Sequence, residues 1–253
     1  MRRATGVLGP VLLLALALTG CTAPAGEAGT EPPVTVFAAA SLHGSFDELA
    51  TAFADEHPSY SVAPIRYDGS QALSTQALDG ADVDVVAFAN EETFQPLVEA
   101  GRSGDGEIFA TNTLRIAVPA GNPGGIADLD DLADPSLAVV LCAPEVPCGS
   151  ATRKLLSSAG VAVTAVSEET NVTAVLTRVA DGEADAGIVY ATDIAAEERV
   201  EGIRPAGAGD VVNRYPIAIA EDAPSPRGAR AFVDFILSDQ GQAILAAHGF
   251  EAP

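Results

Sequence analysis

The residues best suited to chemistry in this chain are two serines, a tyrosine and a pair of polar helix starts. Ser41 closes the short apolar run at 34–40, and Phe46, Leu49, Ala50 and Phe53 then recur at three- and four-residue steps. That is the period of an amphipathic helix, so the hydroxyl stands at or just before a helix N-terminus. Unpaired N–H groups and the helix dipole at such a corner favour either a capping side chain or a bound anion. Ser70, in Tyr67-Asp-Gly-Ser70-Gln-Ala-Leu, repeats the arrangement after a second strand, with Gly69 permitting tight backbone geometry. Val146-Pro-Cys148-Gly149 and Glu168-Glu-Thr-Asn171-Val172 are two further strand-to-helix corners. Gly187-Ile-Val-Tyr190-Ala-Thr-Asp193 adds a phenol at a strand end, able to donate one more hydrogen bond. One such corner is ordinarily a capped helix. Four that converge would hold a small anion.

The elements that must position these residues alternate along the chain. Apolar runs at 61–66, 83–89, 114–118, 138–141, 186–190 and 215–220 predict strands, and helical patterns at 46–54, 71–79, 94–100, 151–158, 172–180 and 228–237 lie between most of them. The pattern predicts an α/β fold with largely parallel sheets flanked by helices. The loop Ala120-Gly-Asn-Pro-Gly-Gly125 and the stretch Asn213-Arg-Tyr-Pro216 are two places for the chain to pass between lobes. A two-lobed division follows, with 34–112 plus 217–253 as the first lobe and 113–216 as the second. A single doubly wound sheet is the alternative.

Ahead of the domain, Arg2 and Arg3 precede an apolar run at 11–18 and then Leu18-Thr-Gly-Cys21. A basic start, a short apolar core and small residues describe a secretory signal over 1–20. The last four residues resemble a bacterial lipobox, which makes Cys21 the lipidated residue and 21–33 a small, polar tether. No other stretch is long and apolar enough to span a bilayer. The chain is thus expected outside the cytoplasm, held at the cell membrane by lipid. Cys142 and Cys148 are the only other cysteines, and in an exported chain a close pair suggests a disulfide. Zinc is the weaker reading, because none of the three histidines lies near them in sequence. The formal charge of -22 argues against a nucleic-acid partner. It also means that an anion must be held by local dipoles and hydrogen bonds, since salt screens exposed charges beyond roughly 8 Å.

Taken together, Phe37-Ala-Ala-Ala-Ser41-Leu, Gly69-Ser70-Gln-Ala-Leu, Ala143-Pro-Glu-Val-Pro-Cys148-Gly149 and Gly187-Ile-Val-Tyr190-Ala-Thr-Asp193 resemble the substrate-binding proteins of bacterial molybdate ABC transporters. The likeness runs from Val34 to about Gly249. It implies a periplasmic-binding-protein-like fold of type II, two α/β lobes joined by a hinge and closing on ligand. It also implies a monomer without cofactor that carries molybdate or tungstate to an ABC permease, molybdenum entering only as the oxyanion. The resemblance gives the hydroxyl roles to Ser41, Ser70 and Tyr190, and backbone N–H roles to Cys148 and Val172 and to the serines' own amides. Where many relatives have a small residue after the second serine, this chain has Gln71, which alters the pocket rim.

Other classes fit the residues less well. A hydrolase would need Ser41 or Ser70 as nucleophile and His43, His57 or His248 as base, yet no Gly-x-Ser-x-Gly elbow or other triad signature is present. Asp82, Asp84 and Asp193 are candidate metal ligands by residue type, but solvated strand ends explain the first two more simply. A structural or adhesive lipoprotein is a further class. Within the binding class, sulfate, phosphate or a metal species are the competing ligands.

Overall fold

The computed structural model describes residues 32–253. The signal segment, Cys21 and the tether as far as Glu31 lie outside the described residues.

The first strand, β1 (Val36–Ala39), is buried along its whole length because helices cover both its faces. Val36 and Ala38 join one apolar cluster, with Phe46, Leu49 and Phe53 of α1 (His43–Glu56), while Phe37 points into another. β2 (Arg66–Asp68) and, after α2 (Ser70–Leu78), β3 (Val85–Ala87) pair with β1 in parallel. Residues 61–66 mostly run beside this sheet rather than in it, making an isolated bridge between Val62 and Val34. Pro64 has no N–H to give a ladder there.

After α3 (Glu91–Glu99) comes β4 (Glu107–Pro119), far longer than the predicted 114–118. Then follow β5 (Val139–Cys142), α4 (Pro147–Ala159), β6 (Ser167–Glu169), α5 (Val172–Ala180), β7 (Ala186–Tyr190), α6 (Ala191–Ala195) and β8 (Val200–Ile203). β9 (Val212–Ile219), α7 (Pro226–Leu237) and α8 (Asp239–Ala247) complete the chain. The strands lie in the order β2-β1-β3-β9-β4-β7-β5-β6, with β8 also on β4. Parallel pairing holds within β2-β1-β3 and β6-β5-β7, and the strands between them are antiparallel.

Two cores flank the middle of this sheet. Phe109 and Ala110, in the first half of β4, pack with Phe46, Tyr215 and Phe232. Leu114, Ile116, Ala117 and Val118, in its second half, pack with β5, α4, α5 and β7. β4 therefore pairs with β9 up to Thr113 and with β7 from Leu114 onward. One strand thus contributes to both cores. The Ala120–Gly125 segment forms a turn just after it, tied to Glu201 and Ile126.

Candidate anion site

The five predicted site residues lie together. Ser41, Ser70, Cys148, Val172 and Tyr190 line one cavity where the lobes meet, along with Ala89, Asp68 and Asn171. Water-sized atoms can centre in about 10 Å³ of it. That is the space open to the centre of a water-sized atom rather than to a whole molecule, and it is on the scale of one small occupant. A larger groove of about 440 Å³ opens beside it, with Glu91, Glu92, Lys154 and Arg214 on its lips. Charges of both signs in an open groove give no enclosed seat for an anion.

Neither serine hydroxyl caps its helix. Ser41 lies in a 3-10 turn (Ala40–Leu42) ahead of α1, and its Oγ is 3.0 Å from the Tyr215 hydroxyl. Either hydroxyl can donate in this pair, and the Ser41 proton is left for the cavity when the phenol donates. Ser70 is the first residue of α2, and its Oγ accepts the N–H of Ala89 at 3.0 Å. The Tyr190 hydroxyl accepts from Asn213 Nδ2 at 2.9 Å. The Ser70 and Tyr190 hydroxyls thus each have an acceptor position filled by a protein donor, and keep their own protons for the cavity. Burial raises both phenols well above their usual range, for Tyr190 reinforced by its neighbour Tyr215, so they stay protonated donors.

Backbone groups add to these. Among the described residues nothing accepts from the first-turn N–H groups of Ser70, Cys148 and Val172. Asn171 caps α5 through the N–H of Ala174, which leaves that of Val172 free. Cys142 and Cys148 form a disulfide with Cα atoms 5.8 Å apart, fixing the α4 start against the end of β5. Gly149 is required there, since a Cβ would fall 1.9 Å from the Ala143 carbonyl oxygen. Gly69 is required on the facing lobe for the same reason, with Thr170 O 2.3 Å from where its Cβ would be.

The sequence reading missed several groups. Asp68 lies on the wall, its Oδ1 accepting from Gly69 N–H at 2.7 Å and from Asn171 Nδ2 at 3.2 Å. Asn213 and Tyr215 interrupt a strand with polar atoms that are almost wholly buried, a mismatch between side chain and surroundings that was visible in principle. Asp84 is not a solvated strand end. It is fully buried and accepts the N–H groups of Thr35 and Ser225, joining β1 to the start of α7. His248 pairs with Glu48 and His57 follows the end of α1, and among the described residues neither is hydrogen-bonded to Ser41 or Ser70. Among the described residues no group of His, Cys, Asp and Glu could hold a metal ion.

Two α/β lobes joined by paired strands, with a small donor-lined cavity between them, define a protein of the two-lobed solute-binding type. The chain belongs to the family of bacterial extracellular solute-binding proteins, whose profile matches residues 34–251. It is 38% identical to the molybdate-binding protein ModA of Mycobacterium tuberculosis, over 98% of this chain and 97% of that one. The periplasmic molybdate-binding protein of Azotobacter vinelandii shares the fold at a TM-score of 0.76 and 21% identity, over 87% of this chain and 99% of that one. The sulfate-binding protein SubI of Mycobacterium tuberculosis shares it at 0.74 and 23%, over 87% and 86%. No described helix is long and apolar enough to cross a membrane.

Proposed function

We propose that this protein captures molybdate or tungstate between its lobes and passes it to the permease of an ABC transporter. The observation that carries the reading is the preset direction of the Ser70 and Tyr190 hydroxyls, each accepting from a protein donor and left to donate inward. In this reading Ser41, Ser70 and Tyr190 give hydroxyl hydrogen bonds, and Cys148 and Val172 give backbone ones. Hydrogen bonds to a charged partner contribute ~1.5–3 kcal/mol each. Five of them offset the cost of desolvating a dianion without any lysine or arginine on the cavity wall. The 38% identical molybdate-binding relative agrees with this ligand.

Around the site we place the lobes at 34–112 plus 217–253 and at 113–216, with the hinge in β4 and β9. β9 pairs with β3 through Ile217–Ile219 and with β4 from Val212, so the second crossing of this division falls within β9. The protein works as a non-catalytic monomer without cofactor, outside the cytoplasm and tethered by lipid on Cys21. That anchor rests on the Leu18-Thr-Gly-Cys21 string alone.

A second reading, hydrogen phosphate, has one observation behind it. Asp68 puts a carboxylate on the wall that can accept a ligand's proton. Its Oδ1 is already held by two donors, which favours the proton-free anions. Calorimetric titration with molybdate, tungstate, sulfate and phosphate tests the choice. The first two should bind alike. Sulfate, whose shorter bonds leave some donors out of reach, should bind at least ~100-fold more weakly, equivalent to two lost charge-assisted bonds. Phosphate or sulfate matching molybdate overturns the assignment.

A further inference from the structure

We propose that Asn213 is a positioning residue for anion capture: its side-chain amide sets the Tyr190 hydroxyl as a donor to the cavity and ties it to the Ser70 side of the site. The inference rests on the anion-capture reading above.

Asn213 is 5% exposed and sits on β9, opposite Asn112 of β4 in the antiparallel register. Its Nδ2 makes two bonds, to the Ala89 carbonyl at 2.9 Å and to the Tyr190 hydroxyl oxygen at 2.9 Å. The Ala89 carbonyl can only accept, which fixes the amide nitrogen rather than the oxygen on this side. The Tyr190 oxygen must then accept as well. Turning the phenol proton away from the cavity would aim it at an N–H group, so the proton is directed at the ligand. Ala89 is itself the residue whose N–H holds the Ser70 Oγ. One buried amide therefore connects the donors of both lobes.

Tyr190 and Ala89 lie on β7 and just past β3, strands that never pair with each other. Without Asn213 the Tyr190 hydroxyl keeps its place but loses its direction, and the ligand has to pay for fixing it.

A double-mutant cycle on molybdate affinity tests this, with thermal stability followed in parallel. Asn213→Ala should weaken binding at least ~tenfold when Tyr190 is present, and by no more than about threefold in the Tyr190→Phe background. A similar loss in both backgrounds, or no loss in the first, overturns the inference. A Tyr190→Phe change without effect on affinity would instead count against the anion-capture reading. If Asn213→Ala fails to fold, Asn213→Asp keeps the shape and replaces a donor with an acceptor. Its deficit relative to the unsubstituted protein should grow as pH rises and the carboxyl ionises. A deficit that is absent or independent of pH overturns the inference.

Discussion

Ser150 on α4 donates a 2.8 Å hydrogen bond to Glu92 on α3, and the two residues belong to different lobes. Gln71 Nε2 makes a second such bond, to the Thr170 carbonyl at 2.9 Å, and Asn171 reaches Asp68 in a third. The lobes are therefore latched by Ser150 and Gln71 outside the cavity lining, and by Asn171 and Asp68 on its wall. The Gln71 bond is neutral, and the Ser150 bond goes to an exposed carboxylate discounted by solvent, so each contributes about 0.5–1.5 kcal/mol. Ser150→Ala or Gln71→Ala should raise the dissociation constant about two- to tenfold, through faster release rather than slower capture. Stopped-flow release against chelating competitor anion measures it, and an effect confined to the association rate would rule the latch out.

Removal of the serines should have two consequences that separate. Ser41→Ala and Ser70→Ala each delete a charge-assisted bond, for a loss of ~1.5–3 kcal/mol in binding. Ser70→Ala also strands the buried N–H of Ala89, which costs a further ~1–3 kcal/mol in folding. Titration calorimetry and denaturant unfolding read the two losses separately. Full affinity with reduced stability would leave the serines a purely structural role.

The Cys142–Cys148 bridge holds the start of α4, and with it the Cys148 N–H, before any ligand arrives. Alkylation without reductant should find no free thiol in the folded domain. Reduction should weaken anion binding while leaving the far lobe's fold intact, because ordering the loop then falls on the ligand. Equal affinity in the reduced and oxidised protein would show that the helix start needs no bridge.

Asp193 gives the pH dependence. It accepts the Tyr190 N–H at 2.8 Å, and burial lifts its carboxyl to about 7, partly opposed by that bond. An unfolded aspartate titrates near ~3.9. Between these values the folded chain binds more protons than the unfolded one, so stability is fullest below about 4 and falls as pH climbs through 7. Asp193→Asn, which can still accept the Tyr190 N–H, should flatten that slope. A dianion in the cavity favours the protonated acid further. Molybdate binding near neutral pH should then take up a fraction of a proton, seen by calorimetry in buffers of different ionisation enthalpy. Identical uptake in Asp193→Asn would assign the proton elsewhere.

How much of this was legible in the residues depended on whether the cause was local. The 172–180 helix and the 186–190 strand were readable to the residue, since periodicity and flanking polar groups act within one element. The serines were found by their corners, yet their partners were not. Ala89, Asn213 and Tyr215 lie 19, 23 and 174 residues in sequence from the hydroxyls they hold. Such distances belong to topology. β6, with its Ser167-Glu-Glu run, and β8, with Gly202 inside it, were missed because neither is an apolar strand. The first half of β4 was missed because Thr111, Asn112 and Thr113 interrupt its apolar run. Those residues are buried where the strand changes partners.

The place of β9 in the sheet has a consequence for how the molecule comes into being. It lies between β3 and β4, although more than ninety residues of chain separate β4 from it. The first lobe's sheet stays divided, with β3 an open edge, until nearly the whole polypeptide is available. The second lobe has no such wait, because β4 through β8 are contiguous and can pair as they are made. Assembly is therefore expected to run from the middle of the chain outward, the N-terminal segment idling longest. Strand pairing over so long a separation is slow. During that interval the exposed edge of β3 is where a half-finished chain is most open to sticking to another copy of itself.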